Sequence, residues 1–131
     1  GLPARFKEAR PISTAIYYLL ASGDFSSFHR IKSDEVWHFY AGGALLIHVL
    51  HTSGSLETVI LENDLLKGEH FQFVVPAGCW FAAEPAPGTS LSFVGCTVAP
   101  GFDFEDFEMA NKEELINRYK PYAEVIERLC K

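Results

Sequence analysis

The sequence predicts an all-β domain, a sandwich or barrel followed by a short helical tail. Two observations carry this. Runs rich in β-forming residues, separated by turn residues, recur from Ser13 to Val98. After Ala110 the pattern changes to helix-start signals with apolar residues three and four apart. At 131 residues the chain reads as one domain, with the barrel over about 12–108 and the helical tail over about 111–131.

The elements follow in order. Residues 13–20, STAIYYLL, form the first strand. Residues 43–51, GALLIHVLH, meet 56–62, LETVILE, across Thr52-Ser53-Gly54-Ser55, a hairpin around a glycine-containing turn. Residues 71–76 form a strand ended by Pro76-Ala77-Gly78, and 90–98 form another after the Glu84–Gly88 loop. In the tail, Asn111 and Glu114 make a capping box, with Leu115, Ile116 and Tyr119 on one helical face. Pro121 suits the first turn of a second helix over 122–130, with Val125, Ile126 and Leu129 inward. These helices are expected over an open end or side of the barrel. Many strands are apolar on both faces. One face can fill the interior, and the other needs a cover, so a homodimer packed sheet against sheet is expected.

Hydrophobic residues make up 48% and aromatics 14%, which excludes a disordered chain. The net charge of -6 and the absence of a basic stripe argue against nucleic acid as a partner. No apolar run approaches the roughly 20 residues of a membrane helix. The opening GLPARFKEAR has no apolar signal core, and Gly1 is given no meaning. Cys79, Cys96 and Cys130 have no metal-ligand spacing, so reduced thiols in a cytoplasmic protein are expected, with Cys96 a buried structural thiol.

The most specific stretch is GDFSSFHRIKSDEVWHFYAG, from Gly23 to Gly42. Gly23, His29, Glu35 and Gly42 stand at the spacing G-x5-H-x-H-x3,4-E-x6-G, with Ile31 in place of the second histidine. Further landmarks are STAIYYLL, VVPAGCWFAA over 74–83, and VGCTVAPGFDFEDFEMA over 94–110. Through these the chain resembles the cupin superfamily from Ser13 to about Ala110, and within it the fifth cupin sequence family, whose members mostly lack an assigned function. The resemblance implies a double-stranded β-helix, or jelly-roll barrel, commonly dimeric. Sugar-nucleotide epimerases of the rhamnose pathway and seed-storage proteins look like structural cousins, a breadth that names no activity. The family's second motif, G-x5-P-x-G-x2-H-x3-N, is kept at Pro76 and Gly78, but Phe81 stands at its histidine and Pro85 at its asparagine. Of the usual four metal-ligand positions only His29 and Glu35 hold donors. Two ligands do not make a mononuclear site of three or four, so no cofactor is assigned; a divalent metal would rest on His29 and Glu35.

The motif geometry points His29 and Glu35 into the barrel. There His29 would act as base with Glu35 orienting its ring, chemistry that suits proton abstraction beside a carbonyl. Trp37 and Phe39 share parity with Glu35 and should line the same cavity, offering a stacking surface for a sugar or base. His38 and Tyr40 should face outward. Tyr17 and Tyr18 have opposite parities; one of them, assigned as Tyr18, would face the cavity as a general acid. Thr14 and Gln72 are polar groups on apolar strands, expected to bond a ligand, with Phe81 beside them. Trp80 is expected at the barrel mouth. In FDFEDFE, 102–108, the phenylalanines should pack inward and the acids face water, with a pocket-edge role open for one acid. His48, His51 and His70 read as sheet-face or surface histidines.

The expected function is binding of a small polar ligand, carbohydrate or nucleotide-sugar-like, with metal-independent epimerase or isomerase chemistry if the protein is an enzyme. The alternatives are a non-catalytic ligand-binding barrel and a metal-dependent enzyme with an atypical site.

Overall fold

The computed structural model describes residues 2–131. The strands are β1 (Thr14–Ala21), β2 (Ser26–Arg30), β3 (Asp34–Gly42), β4 (Leu45–Leu50), β5 (Leu56–Leu61), β6 (Gln72–Val75), β7 (Trp80–Pro85), β8 (Leu91–Ala99) and β9 (Glu108–Met109). The helices are α1 (Lys112–Arg118) and α2 (Ala123–Leu129). One sheet runs β1-β8-β3-β6 and the other β5-β4-β7-β2-β9, with antiparallel neighbours. The expected hairpin is β4–β5, in register from Leu50 opposite Leu56 to Leu45 opposite Leu61.

The core lies between the two sheets. Leu20, Trp37, Val94 and Cys96 from the first meet Ile47, Val49, Leu61 and Phe81 from the second, all buried. This is the jelly-roll that the strand spacing and the motifs predict. The glycine that ends the first motif has a structural reason. Gly42 has φ +84°, and a Cβ there would lie 2.6 Å from the Leu91 carbonyl oxygen.

The outer faces of the two sheets differ. Phe28, Leu50 and Ala82 on the second are covered by Leu115, Tyr119, Val125, Ile126 and Leu129 from the tail. The tail therefore closes a side of the barrel rather than an end. It begins as the capping box predicts, with the Glu114 amide donating to Asn111 Oδ1 at 3.0 Å. Tyr119 donates its hydroxyl to the His51 carbonyl at 2.9 Å, and Arg128 pairs with Glu84. Glu84 also holds His48 at 2.8 Å, so His48 belongs to a network that fastens α2 to the sheet.

Among the described residues nothing covers the outer face of the first sheet in this way. Tyr17 (77% exposed), Leu19, Tyr40 and Val74 lie open there. Tyr17 stacks on Phe93 with ring centroids 5.5 Å apart, and Tyr40 meets Tyr17 edge-on at 6.0 Å. A register slip between Phe39 and Ala41 lets the Tyr40 ring lie across Gly95, where a Cβ would come within 2.5 Å of it. His38 faces this side as expected, its Nε2 3.0 Å from Thr97 Oγ1.

Candidate functional site

His29 lies on β2 opposite Phe81 of β7 and Met109 of β9, and is 8% exposed. Its Nδ1 is 2.7 Å from the Ser27 carbonyl oxygen. A carbonyl only accepts, so Nδ1 carries the proton and Nε2 presents a bare lone pair. Burial lowers the pKa of the ring, and the Ser27 hydrogen bond partly opposes this. The Phe81 ring is 4.2 Å away and Phe107 stacks at 5.0 Å, so the imidazole sits between two apolar rings.

Glu35 lies on β3 opposite Val75 and Val98. Trp37, two residues along the same face, donates its indole N–H to Glu35 Oε2 at 3.0 Å. Burial pushes the carboxyl up to about 7, against the Trp37 bond, which favours the ionised form. Cys96, opposite Trp37 on β8, is also buried. Its thiol is pushed up, mainly by burial and further by Glu35, which makes it an inert structural thiol.

Tyr18 is the inward tyrosine, opposite the buried Val94, its ring 5.9 Å from Trp37. Burial raises its hydroxyl pKa, with the neighbouring Ser26 side chain opposing. Tyr18, Glu35 and His29 are thus carried on the inner sides of three strands, β1, β3 and β2, among apolar side chains. Phe39 packs inward against the same core, and Phe81 forms the floor under His29.

Several expectations need correction. Glu35 does not orient His29: the Ser27 carbonyl holds the imidazole, while the carboxylate takes its bond from Trp37. Gln72 does not face the barrel interior. It is exposed and stands opposite His38, and cross-strand partners share a face. Trp37 is 1% exposed with its N–H committed, so it serves as a support for Glu35 rather than an open stacking platform. Thr14 accepts from the Phe102 amide at 2.9 Å and fastens the chain after β8. Trp80 does not close the mouth: it lies on the helix side of its sheet under the Arg30 guanidinium, 4.3 Å from the ring centroid. In the 102–108 segment Glu105 and Glu108 face water as expected, but Phe104 is 83% exposed and Asp106 is buried against Arg10, so these two depart from apolar-in and acid-out.

Sequence reasoning missed the Ser27 carbonyl, because backbone acceptors leave no mark in residue type. Of the phenylalanines expected inward in 102–108, Phe107 stacks on His29, a partner that the spacing alone does not name. Among the described residues no group of three or more His, Cys, Asp or Glu is placed to hold a metal. At the usual cupin ligand positions, Ile31 and Phe81 are buried apolar side chains. The donor set does not fit a resident metal.

The fold and these residues define a cupin barrel with an atypical interior. Residues 2–110 match the family described as Cupin superfamily (DUF985), and the chain belongs to that family. Protein SO0799 from Shewanella oneidensis is 40% identical with a TM-score of 0.89, covering 96% of this chain and 79% of that one. The uncharacterized protein YML079W of Saccharomyces cerevisiae is 29% identical over 106 residues, 78% of this chain and 52% of the yeast protein. The chain thus spans about half the length of that relative. A dTDP sugar isomerase from Desulfovibrio desulfuricans G20 shares the fold alone, with a TM-score of 0.65 at 13% identity over 84% of this chain and 71% of that one. Among the described residues no helix is long and apolar enough to cross a membrane, and the three cysteines are free and buried.

Proposed function

We propose that the barrel interior binds a small polar ligand, carbohydrate or nucleotide-sugar-like, at His29, Glu35 and Tyr18. The observation that supports this best is that three ionisable side chains, buried His29 and half-buried Glu35 and Tyr18, sit against an aromatic core and form no ion pair among the described residues. Buried, unpaired titratable groups cost stability, and they mark sites more often than they mark cores. Burial holds all three toward their neutral forms, so these side chains suit the hydroxyl and carbonyl groups of a sugar rather than its phosphates.

The same arrangement supports metal-independent epimerase or isomerase chemistry. His29 Nε2 would take the proton from a carbon beside a carbonyl, leaving an enolate and an imidazolium. Tyr18 or the protonated Glu35 would return a proton to that carbon from another side. The test is a nucleotide-linked keto sugar in D2O, followed by NMR. Deuterium entering beside the carbonyl, and lost in His29→Ala, supports the enzyme. Saturable binding without exchange supports the non-catalytic barrel, and no binding contradicts both.

We further infer that a second copy covers the Tyr17, Leu19, Tyr40 and Phe93 face. That face is rich in aromatic and apolar side chains, which suits self-association across a two-fold axis. A cytoplasmic location is consistent with the free thiols.

A further inference from the structure

A second polar site lies outside the barrel, where the N-terminal segment crosses the chain after β8. A cleft of about 150 Å³ is lined by four cations, Arg5, Lys7, Arg10 and Lys32. The acids facing it are Glu8, Glu105 and Asp106. In a chain of net charge -6, four of the 11 basic residues meet here.

Arg10 is the centre of this cleft. Its side chain is 6% exposed. One end of its guanidinium is satisfied: Nη1 pairs with Asp106 and donates to the Gly101 carbonyl at 3.2 Å. One face lies over the Phe6 ring, 4.4 Å from its centroid. The side edge is different. Nε is buried and has no hydrogen-bond partner among the described residues. An unmet buried donor on a charged group carries a desolvation cost, so native structures rarely leave one. Nε and Nη2 form the edge with which arginine grips a carboxylate or phosphate through two parallel bonds. Asp106 does not use that edge.

The surroundings favour an anion there. Arg10 and Asp106 neutralise each other, which leaves Arg5, Lys7 and Lys32 against Glu8 and Glu105. Lys7 and Lys32 are exposed and form no ion pair among the described residues, and Arg5 is fixed nearby by its Nε bond to the Lys32 carbonyl at 2.7 Å. The volume is below the about 300 Å³ at which pockets for whole organic ligands usually begin. It has room for one oxyanion group and not for a nucleotide.

We propose that this cleft is an oxyanion site, taking a phosphate or carboxylate group on the side edge of Arg10 with Lys7 and Lys32 supplying charge. It stands apart from the barrel reading and does not depend on it. The 104–107 turn nevertheless touches both places, since Asp106 holds Arg10 while Phe107 packs on His29.

The test uses the full chain, titrated with inorganic phosphate and separately with glucose 1-phosphate, at constant ionic strength set by chloride. Backbone amide shifts of residues 5–10, 32 and 105–106 are followed by NMR. The expected result is a saturable response at these amides. It weakens about threefold in Lys7→Gln and in Lys32→Gln, about tenfold in Arg10→Lys, and strengthens about threefold in Glu105→Gln. Lys7, Lys32 and Glu105 are exposed, so those variants keep the test alive if Arg10→Lys fails to fold. Equal affinity for both probes would mean that the site reads the phosphate alone, and tighter binding of glucose 1-phosphate that it also reads the sugar. A non-saturable response, or one unchanged in the lysine and Glu105 variants, would overturn the proposal.

Discussion

Trp37 donates its indole N–H to the carboxylate of Glu35, 3.0 Å away and two residues along the same strand. This bond explains how a carboxyl survives inside an apolar barrel, and it sets apart two groups that the motif places together. His29 answers to a backbone carbonyl and Glu35 to an indole, so the two titrate in separate settings.

Glu35→Gln should stabilise the protein at alkaline pH. The folded carboxyl has a pKa of about 7 against the usual 4.5. The raised value means that the stability associated with this group is fully present below pH 4.5 and is lost as pH rises to 7. Glutamine keeps an acceptor for Trp37 and removes the charge. Urea unfolding should show a gain of about 2 kcal/mol at pH 8 and little change at pH 4. An equal effect at both pH values would contradict the assignment.

Trp37→Phe should raise the Glu35 pKa above its already elevated value, because the removed N–H favoured the ionised carboxylate. The cost in stability should be about 1 kcal/mol for the hydrogen bond, with a packing loss added. Carboxyl 13C chemical shifts across pH 5–9 read the titration directly.

His29 and His48 should act in the opposite sense from Glu35. Burial lowers both of their pKa values. Stability from a buried neutral histidine is present above the unfolded value of 6.5 and is lost as pH falls below it. Ring 15N shifts of His29 should report a proton on Nδ1 at pH 7.5 and no titration until below 6.5. A ring protonated on Nε2 at neutral pH would contradict the Ser27 hydrogen bond.

Tyr17→Glu should leave the fold intact and separate the copies of a dimer, because Tyr17 is 77% exposed on the uncovered sheet face. Sedimentation velocity should show the wild type at twice the monomer mass and the variant at the monomer mass. A monomeric wild type would remove the inferred interface.

Much of the barrel was legible because its signals are local. The β4–β5 hairpin is written in two β-rich runs and a glycine turn, and the tail in Asn111 and Glu114. Parity placed Glu35, Trp37 and Phe39 inward and His38 and Tyr40 outward; the first four precede the slip, and Tyr40, within it, still lies on the outer face beside Tyr17. The polarity of Gln72 on an apolar strand suggested a ligand contact, but its face depends on pairing with His38, a register that β6 alone does not state. The 102–108 segment was misread because its 3-10 turn has neither strand nor α-helix period, so Asp106 turns inward to Arg10 and Phe104 outward. Whether Ser27 would orient His29 was not legible at all, since the acceptor is main chain.

The central claim is that His29 and Glu35 face a polar ligand within the barrel. The most direct measurement follows the His29 ring nitrogens and the Trp37 indole N–H by NMR during titration with dTDP-glucose, UDP-glucose and glucose 1-phosphate. The account predicts that at least one of the three shifts both signals saturably, and that His29→Gln abolishes the Trp37 response. Signals from both residues that stay fixed for all three probes, while only outer-face or N-terminal resonances move, would contradict it.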